Sequence, residues 1–370
     1  MIRVLQVIGS MNRGGAENMI MNLYRAIDRE KVQFDFVENS SGPAAFDEEI
    51  HALGGRIYRC PHYNGKNHFA YVKWWNTFFS EHPREHLIVH GHLGSTAAIY
   101  LSIAKKNGVY TIAHSHNTRT QVNLNEITYA IYSYPVRFIA DQHFACSKAA
   151  GVSRYGRKIG NDPRRCIILN NAINTDSFRF NKSERDVMRD RLRISDKIVI
   201  GHVGRFSEQK NHSFLLQVFK NIVSKVPSAV LLLVGDGTLR GSIEKYIADH
   251  NLGENVILAG VQSSVSPYYQ AMDLFLFPSL YEGLPVTLVE AQTSGLPCVI
   301  SDKVPSESIL SPDLVTVQHL NQSPEQWADH VLMRLTEHRT DHSEVIKSCG
   351  YDISETAKWL EVFYLDMCQR

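Results

Sequence analysis

Ile198-Val199-Ile200-Gly201-His202-Val203-Gly204-Arg205-Phe206-Ser207-Glu208-Gln209-Lys210-Asn211-His212 is the stretch on which the fold turns. Its first six residues are mostly apolar and β-branched and read as a buried strand. Gly204 ends that strand, and Phe214, Leu215, Val218, Phe219, Ile222 and Val223 then follow at helical spacing. The N-terminus has the same grammar. A strand from Arg3 to Ile8 runs into Gly9-Ser10-Met11-Asn12-Arg13-Gly14-Gly15-Ala16-Glu17, then into a helix patterned by Met19, Ile20, Leu23 and Ile27. A strand-loop-helix series that has already run once therefore begins again at residue 198.

Short apolar runs alternate with helical segments in both series, which predicts an α/β chain with parallel sheets wrapped in helices. The expected strands of the first half are Arg3 to Ile8, Gln33 to Val37, Arg56 to Tyr58, Leu87 to His90, Tyr110 to Ala113, His143 to Ala145 and Cys166 to Leu169. Those of the second are Ile198 to Val203, Val230 to Val234, Val256 to Leu258, Leu274 to Phe277, Cys298 to Ile300 and Leu314 to Val317. With 370 residues, two doubly wound domains are favoured over one wide sheet, because single cores stop growing near ~250–300 residues. The expected boundaries are 1–175, 176–350 and a terminal segment 351–370. Asn174 to Ser195 is polar and reads as a linker followed by a surface helix. Ala357, Leu360, Phe363, Tyr364 and Met367 predict an amphipathic terminal helix.

Composition narrows the function classes. Hydrophobic residues make up 44% and charged residues 21%, which excludes a disordered or fibrous chain. No apolar run approaches the ~20 residues that span a bilayer. The first residues read as a strand, not a signal peptide, and six scattered cysteines without a C-x-x-C pair suit a reducing, cytoplasmic setting. A net charge of +1 argues against bulk nucleic acid as partner. The charge is uneven, however: residues 1–180 carry 21 basic and 14 acidic side chains, and residues 181–370 carry 18 and 24. The basic half is compatible with an anionic membrane face or with scattered solvated charge.

Several strand-end loops carry chemistry. Gly14 and Gly15 let a ligand approach a helix start, and Arg13 reads as a phosphate contact or a loop charge. His90 and His92, then His114 and His116, form two H-x-H pairs at strand ends. Each pair shares a face, and they read as metal ligands, packed structural histidines, or, for His116 with Asn117, active-site residues. Arg205 and Lys210 could clamp a diphosphate or be ordinary loop charges. Gly235-Asp236-Gly237 either turns the chain or lets backbone approach a flat ligand. The most specific stretch is Glu282-Gly283-Leu284-Pro285-Val286-Thr287-Leu288-Val289-Glu290. Gly283 and Pro285 suit a tight helix start whose amides would face a diphosphate, and Glu282 and Glu290 would accept from hydroxyls on either side of it. That describes a nucleotide sugar; the bland reading is two surface glutamates on an amphipathic helix.

Together these pieces resemble glycosyltransferase family 4, retaining transferases of the GT-B fold, over nearly the whole chain. The resemblance rests on Gly14-Gly15-Ala16-Glu17, His116, Ser147, Asn170-Asn171-Ala172-Ile173, Gly204-Arg205 with Lys210, Gly235-Asp236-Gly237 and the Glu282 to Glu290 stretch. Arg13 to Glu17 and Phe34-Asp35-Phe36 look like bacterial capsular or exopolysaccharide transferases. Asn171 and Asn174 depart from the family's N-G-V-D.

The resemblance implies two Rossmann-like domains across a cleft, an acceptor-binding N-terminal one and a donor-binding C-terminal one, with the last helix crossing back. It implies that Arg205 and Lys210 bind the donor diphosphate, Glu290 the ribose, and Glu282 the transferred sugar, with His116 beside that sugar. Arg205, Lys210, Glu282 and His116 are the expected catalytic residues. Gly14, Gly15, Gly235, Asp236, Gly283, Leu284, Pro285, Val286, Thr287 and Leu288 complete the donor set, and Arg13, Asn117 and Ser147 lie on the acceptor side.

The expected reaction is transfer from a nucleotide sugar, UDP-linked by family habit, to a lipid-linked saccharide acceptor in cell-surface polysaccharide synthesis. No cofactor and no metal are expected; the sequence holds no D-x-D pair. The setting is cytoplasmic, with contact at an anionic membrane as an option and no nucleic acid. A nucleotide-sugar isomerase or epimerase on a similar scaffold, and a non-catalytic nucleotide-sugar sensor, are the alternatives.

Overall fold

The computed structural model describes residues 1–12, 14–116, 132–335 and 339–369. Backbone contacts divide the chain into two compact units, Met1–Ile173 with Asp352–Arg370, and Asn174–Tyr351.

The first unit is built on β1 (Ile2–Ile8), β2 (Val32–Glu38), β3 (Ile57–Arg59), β4 (His86–Gly91), β5 (Tyr110–Ser115), β6 (Gln142–Ala145) and β7 (Cys166–Ile168). They form one sheet in the order β3-β2-β1-β4-β5-β6-β7, and every pairing is parallel. Helices cover both faces because these strands are buried on both sides, as parallel strands must be. On one face Trp75, Phe78, Tyr100 and Leu101 pack on Leu5, Val7 and Val89. On the other, Met19, Leu23 and Tyr24 pack with Val4, Phe34, Ile88 and Phe144. Asp35, fully buried in β2, accepts from Arg3 Nη1 at 2.6 Å and lies 2.8 Å from His86 Nε2, so its charge is paired within the sheet.

The terminal helix Ile353–Gln369 belongs to this first unit. Its apolar stripe, Ile353, Ala357, Leu360 and Tyr364, enters the second core face, and Lys31 Nζ donates to Glu361 Oε1 at 2.9 Å. The chain passes out of and back into the unit at neighbouring points. Ile353 N donates to Ile173 O at 2.9 Å, and Ile173 and Asp352 form a parallel bridge. This bridge puts the boundaries at Ile173 and Asp352, in place of 175 and 351.

The second unit contains β8 (Ile198–Val203), β9 (Ala229–Val234), β10 (Val256–Gly260), β11 (Leu274–Phe277), β12 (Cys298–Ser301) and β13 (Val315–Gln318). The order is β10-β9-β8-β11-β12-β13, again all parallel. Both sheets reverse strand order beside their first strand, between β1 and β4 and between β8 and β11. Ligands of open α/β sheets bind outside the strands' carboxyl ends at such a switch.

The charged stretch before β8 differs from the surface helix that its composition predicts. The helix Lys182–Leu192 is there, but Met188 and Arg189 are buried. Arg185 and Arg189 both reach Asp273 and the carbonyls of residues 270–272, so the polar face locks the unit instead of facing water. None of the six cysteines is in a disulfide. Among the described residues no helix is long and apolar enough to cross a membrane.

Candidate functional site

In the second unit, β8 and β11 are neighbours, so the loops leaving their carboxyl ends meet. The β8 loop carries Lys210 and the β11 loop carries Glu282. Lys210 Nζ donates to Glu282 Oε1 at 2.7 Å, with side-chain exposures of only 13% and 5%. The pair is held from several sides. Gln209 Nε2 donates to Glu282 Oε2 at 3.2 Å and to Tyr281 O at 3.0 Å, and Leu280 N returns a bond to Gln209 O. Lys210 Nζ also lies 4.6 Å from the centre of the Phe277 ring. Asn211, at φ 54°, takes the left-handed turn that joins this loop to its helix, and its amide donates to Pro278 O. Arg205 is exposed, and its guanidinium has no ion pair among the described residues.

The helix Val286–Thr293 starts just beyond this pair, with Pro285 as its cap residue, one position outside the first turn. Leu288 N bonds back to Pro285 O at 3.0 Å. The Val286 and Thr287 amides have no intrahelical acceptor. Thr287 Oγ1 is buried without a partner among the described residues. This helix start therefore presents two amides and a hydroxyl, not the longer row of amides expected from Pro285 to Leu288.

Glu290 lies on the same helix. Burial pushes its carboxyl up to about 7, against the opposing hydrogen bond of Tyr269. Tyr269 Oη is 2.8 Å from Glu290 Oε2 and 3.0 Å from Thr287 O. A phenol has one proton for these two acceptors. A protonated Glu290 satisfies both contacts, since it donates to Tyr269 while Tyr269 donates to Thr287 O.

Gly235 and Gly237 are required by backbone. Gly235 has φ +136°, and a side chain there would strike Gly204 O, while one at Gly237 would strike Phe206 O. Asp236 is committed to the same turn, accepting from Gly237 N at 2.7 Å and Arg240 Nη1 at 3.0 Å. The turn thus joins the β8 and β9 loops to each other. Gly283 and Leu284 are half-buried in the loop before the helix.

In the first unit, Gly14 caps the helix Gly15–Ala26. The Glu17 carboxylate lies over Gly14, where a Cβ would collide with it. A carboxylate already at this helix start favours a hydroxyl there over a phosphate. Ser147 is a helix cap: its hydroxyl accepts from Ala150 N at 3.1 Å. Asn174 caps the helix Thr175–Phe178. Arg13 and Asn117 lie outside the described residues.

The ends of β4 and β5 stack four imidazoles. His114 and His116 have ring centres 4.2 Å apart, and His90 and His92 have theirs 4.5 Å apart. Across the strands, His90 Nε2 lies 3.1 Å from His114 Nδ1, and His92 Nδ1 lies 2.7 Å from His116 Nε2. Burial holds all four neutral, His90 near about 3 and His116 near about 4, with the other two well below their ordinary value. His90, His92 and His114 bring three ring nitrogens within 4.8 Å of one another, a donor set of the kind zinc, copper or nickel uses. The sequence pattern paired these residues along each strand but not across strands.

Two doubly wound parallel units, one with a buried ammonium-carboxylate pair beside an open helix start at its switch point, define an α/β protein of the class whose ligands bind at strand ends. Residues 13–177 match the family model described as Glycosyltransferase Family 4, and residues 184–345 match that described as Glycosyl transferases group 1. EpsF of Bacillus subtilis (strain 168), classed by name as a glycosyltransferase, is 35% identical over 361 residues, 95% of this chain and 94% of EpsF. The chain belongs to glycosyltransferase family 4. An Escherichia coli protein named UDP-Gal:alpha-D-GlcNAc-diphosphoundecaprenol alpha-1,3-galactosyltransferase is 27% identical over 58% of this chain and 57% of its own length. The crystal structure of Anabaena HepE in complex with UDP superposes with a TM-score of 0.80 at 14% identity, covering 99% of this chain and 100% of that one. It shares the GT-B fold.

Two outcomes follow from the site. Lys210→Met leaves Glu282 buried and unpaired and should lower stability by ~3 kcal/mol in urea denaturation; adding Glu282→Leu should restore most of the stability without restoring activity. Glu290, neutral below its pKa of about 7, stabilises the fold as an uncharged group, and that contribution is lost as pH rises from the ordinary value of 4.5 through 7. A ligand hydroxyl donating to it favours the carboxylate, so a nucleotide that places a hydroxyl there, with UDP as the probe, should release a proton on binding. Calorimetry in buffers of different ionisation heat at about pH 6.5 should detect this release, and neither about pH 8.5 nor Glu290→Gln should show it.

Proposed function

We propose that this transferase moves a sugar from a UDP-sugar to a lipid-linked saccharide in the assembly of a cell-surface polysaccharide, with retention of configuration and without a metal. The Lys210–Glu282 pair beside the Val286 and Thr287 amides carries the reading. In the second unit, the departing diphosphate takes Lys210, Arg205 and the helix start, so charge that develops on the leaving group meets fixed positive charge. Glu282, released in part from Lys210, accepts from hydroxyls of the transferred sugar, and Glu290 from the ribose. In the first unit, His116 and the Gly14–Gly15 backbone contact sugar hydroxyls. Supplying cations from side chains and a helix dipole does the work that a divalent ion does at a D-x-D site, which supports the metal-free reading. The UDP donor is supported by the names of the E. coli relative and of the HepE complex, and the lipid-linked acceptor by the former.

Incubation with a panel of UDP-sugars and polyprenyl-diphosphate-linked saccharides should release UDP only with donor and acceptor together. Release should be undiminished by EDTA, and NMR of the product should show the donor's anomeric configuration. An isomerase or a sensor releases no UDP; EDTA-sensitive release sinks the metal-free assignment.

The acceptor proposal extends to where the protein works. Helices His68–Glu81, Ala97–Lys106 and Val136–Ile139 pack side by side. They and their flanks expose Phe69 at 87%, Phe138 at 72%, Tyr132 and Tyr134. Tyr63 bonds His68, whose ring contacts Phe69, and Arg137 lies over Tyr134. Lys66, Lys73 and Lys106, on these helices or their flanks, are exposed as well. Aromatics among lysines suit the headgroup layer of an anionic bilayer. The protein should sediment with vesicles of phosphatidylglycerol and phosphatidylethanolamine at low salt and be released at about 1 M salt, where the Debye length is about 3 Å. Phe69→Ser with Phe138→Ser should weaken sedimentation, and no pelleting at low salt overturns the assignment.

A further inference from the structure

Two ring nitrogens in the histidine stack lack a partner among the described residues, His116 Nδ1 and His114 Nε2. They are the outer ends of two hydrogen-bonded arms that start from one side chain, Gln6, in the middle of β1 and 1% exposed. Gln6 sits opposite His90 in the sheet register. Gln6 Oε1 lies 2.8 Å from His92 Nε2, and the Gln6 side chain also faces the Tyr364 hydroxyl on the terminal helix.

The protons can be counted outward. An amide oxygen only accepts, so His92 carries its proton on Nε2 and its Nδ1 is bare. His116 Nε2, 2.7 Å away, must then be the donor, and a neutral His116 has its lone pair on Nδ1. On the second arm, the Gln6 amide nitrogen facing Tyr364 Oη favours the hydroxyl proton pointing to His90 Nδ1, 2.6 Å away. His90 therefore donates from Nε2 to His114 Nδ1, and His114 ends in an N–H at Nε2.

We infer that Gln6 and His92 are positioning residues that fix the tautomer of His116, so that His116 Nδ1 presents a bare acceptor to a hydroxyl of the sugar substrate. The arm through Tyr364 and His90 fixes His114 as a donor by the same amide. One buried glutamine thus sets opposite polarity at two neighbouring rings, and a sugar hydroxyl, which both donates and accepts, matches that pair. The identity of the ligand rests on the transferase reading above; the tautomer assignment does not.

The test is long-range proton-nitrogen NMR on the full chain labelled with 15N-histidine, His116 being assigned by its loss in His116→Gln. The wild type should carry the His116 proton on Nε2. Gln6→Met should leave both arms undirected and mix the tautomers of His116 and His114. Tyr364→Phe should release only His90 and His114, leaving His116 unchanged. A proton on His116 Nδ1 in the wild type overturns the inference with no variant needed, and so does a His116 tautomer indifferent to Gln6→Met. In parallel, Gln6→Met should raise KM for the sugar donor about tenfold while UDP, which lacks the sugar, binds as in wild type. Weakened UDP binding in that variant marks a general structural loss and counts against the inference. If no sugar is transferred at all, the NMR result still decides the tautomer, so the two failures are separable.

Discussion

Parallel pairing is the constraint on which the rest depends. When every strand of a sheet runs the same way, every carboxyl end lies on one edge, and residues far apart in sequence meet there if their strands are neighbours. Lys210 and Glu282 are 72 positions apart and touch because β8 lies beside β11. Gln6, His90 and His114 line up because β1, β4 and β5 are consecutive in the other sheet. An antiparallel arrangement of the same segments would divide each set between opposite ends of the sheet.

Within each unit, several charges at the strand ends already have partners of their own. Lys210 is bound to Glu282, Glu17 sits over its own helix start, and Asp236 is spent on its turn. An anion drawn to Lys210, as proposed for the donor diphosphate, would exchange partners there. The fold already holds Lys210 and Glu282 out of water, so the proposed ligand would compete with one carboxylate oxygen instead of stripping a hydration shell. Arg205, exposed, is suited to the first encounter, when a long-range field steers an anion.

What the sequence revealed and what it hid divide along a physical line. Period and punctuation are local, so β8 and β11 were legible to the residue, and the terminal helix was legible from Ala357, Leu360 and Tyr364. The chemistry of the Glu282 to Glu290 stretch was legible as residue types at a helix start. Partners are not local. Arg185 and Arg189 look like solvated charge because nothing near them in sequence announces Asp273, and the partner of Glu290 stays hidden because Tyr269 lies on another element. Gln6 was invisible for the same reason: one polar residue in an apolar strand means nothing until the neighbouring strand supplies His90 and the last helix supplies Tyr364.

The histidine stack shows why composition alone does not decide between a metal and a proton relay. Burial that keeps four imidazoles neutral makes each a candidate ligand, because a neutral ring offers a lone pair. A metal gathered by the facing nitrogens needs those lone pairs to point inward together. The proton count leaves bare nitrogens at His92 Nδ1 and His114 Nδ1 but puts a proton on His90 Nε2, between His90 and His114. Turning that proton outward means reversing the Tyr364 hydroxyl, which then has to accept from both His90 and the Gln6 amide while its own proton loses its acceptor. If Gln6 orients the stack as inferred above, the same glutamine disfavours a metal there.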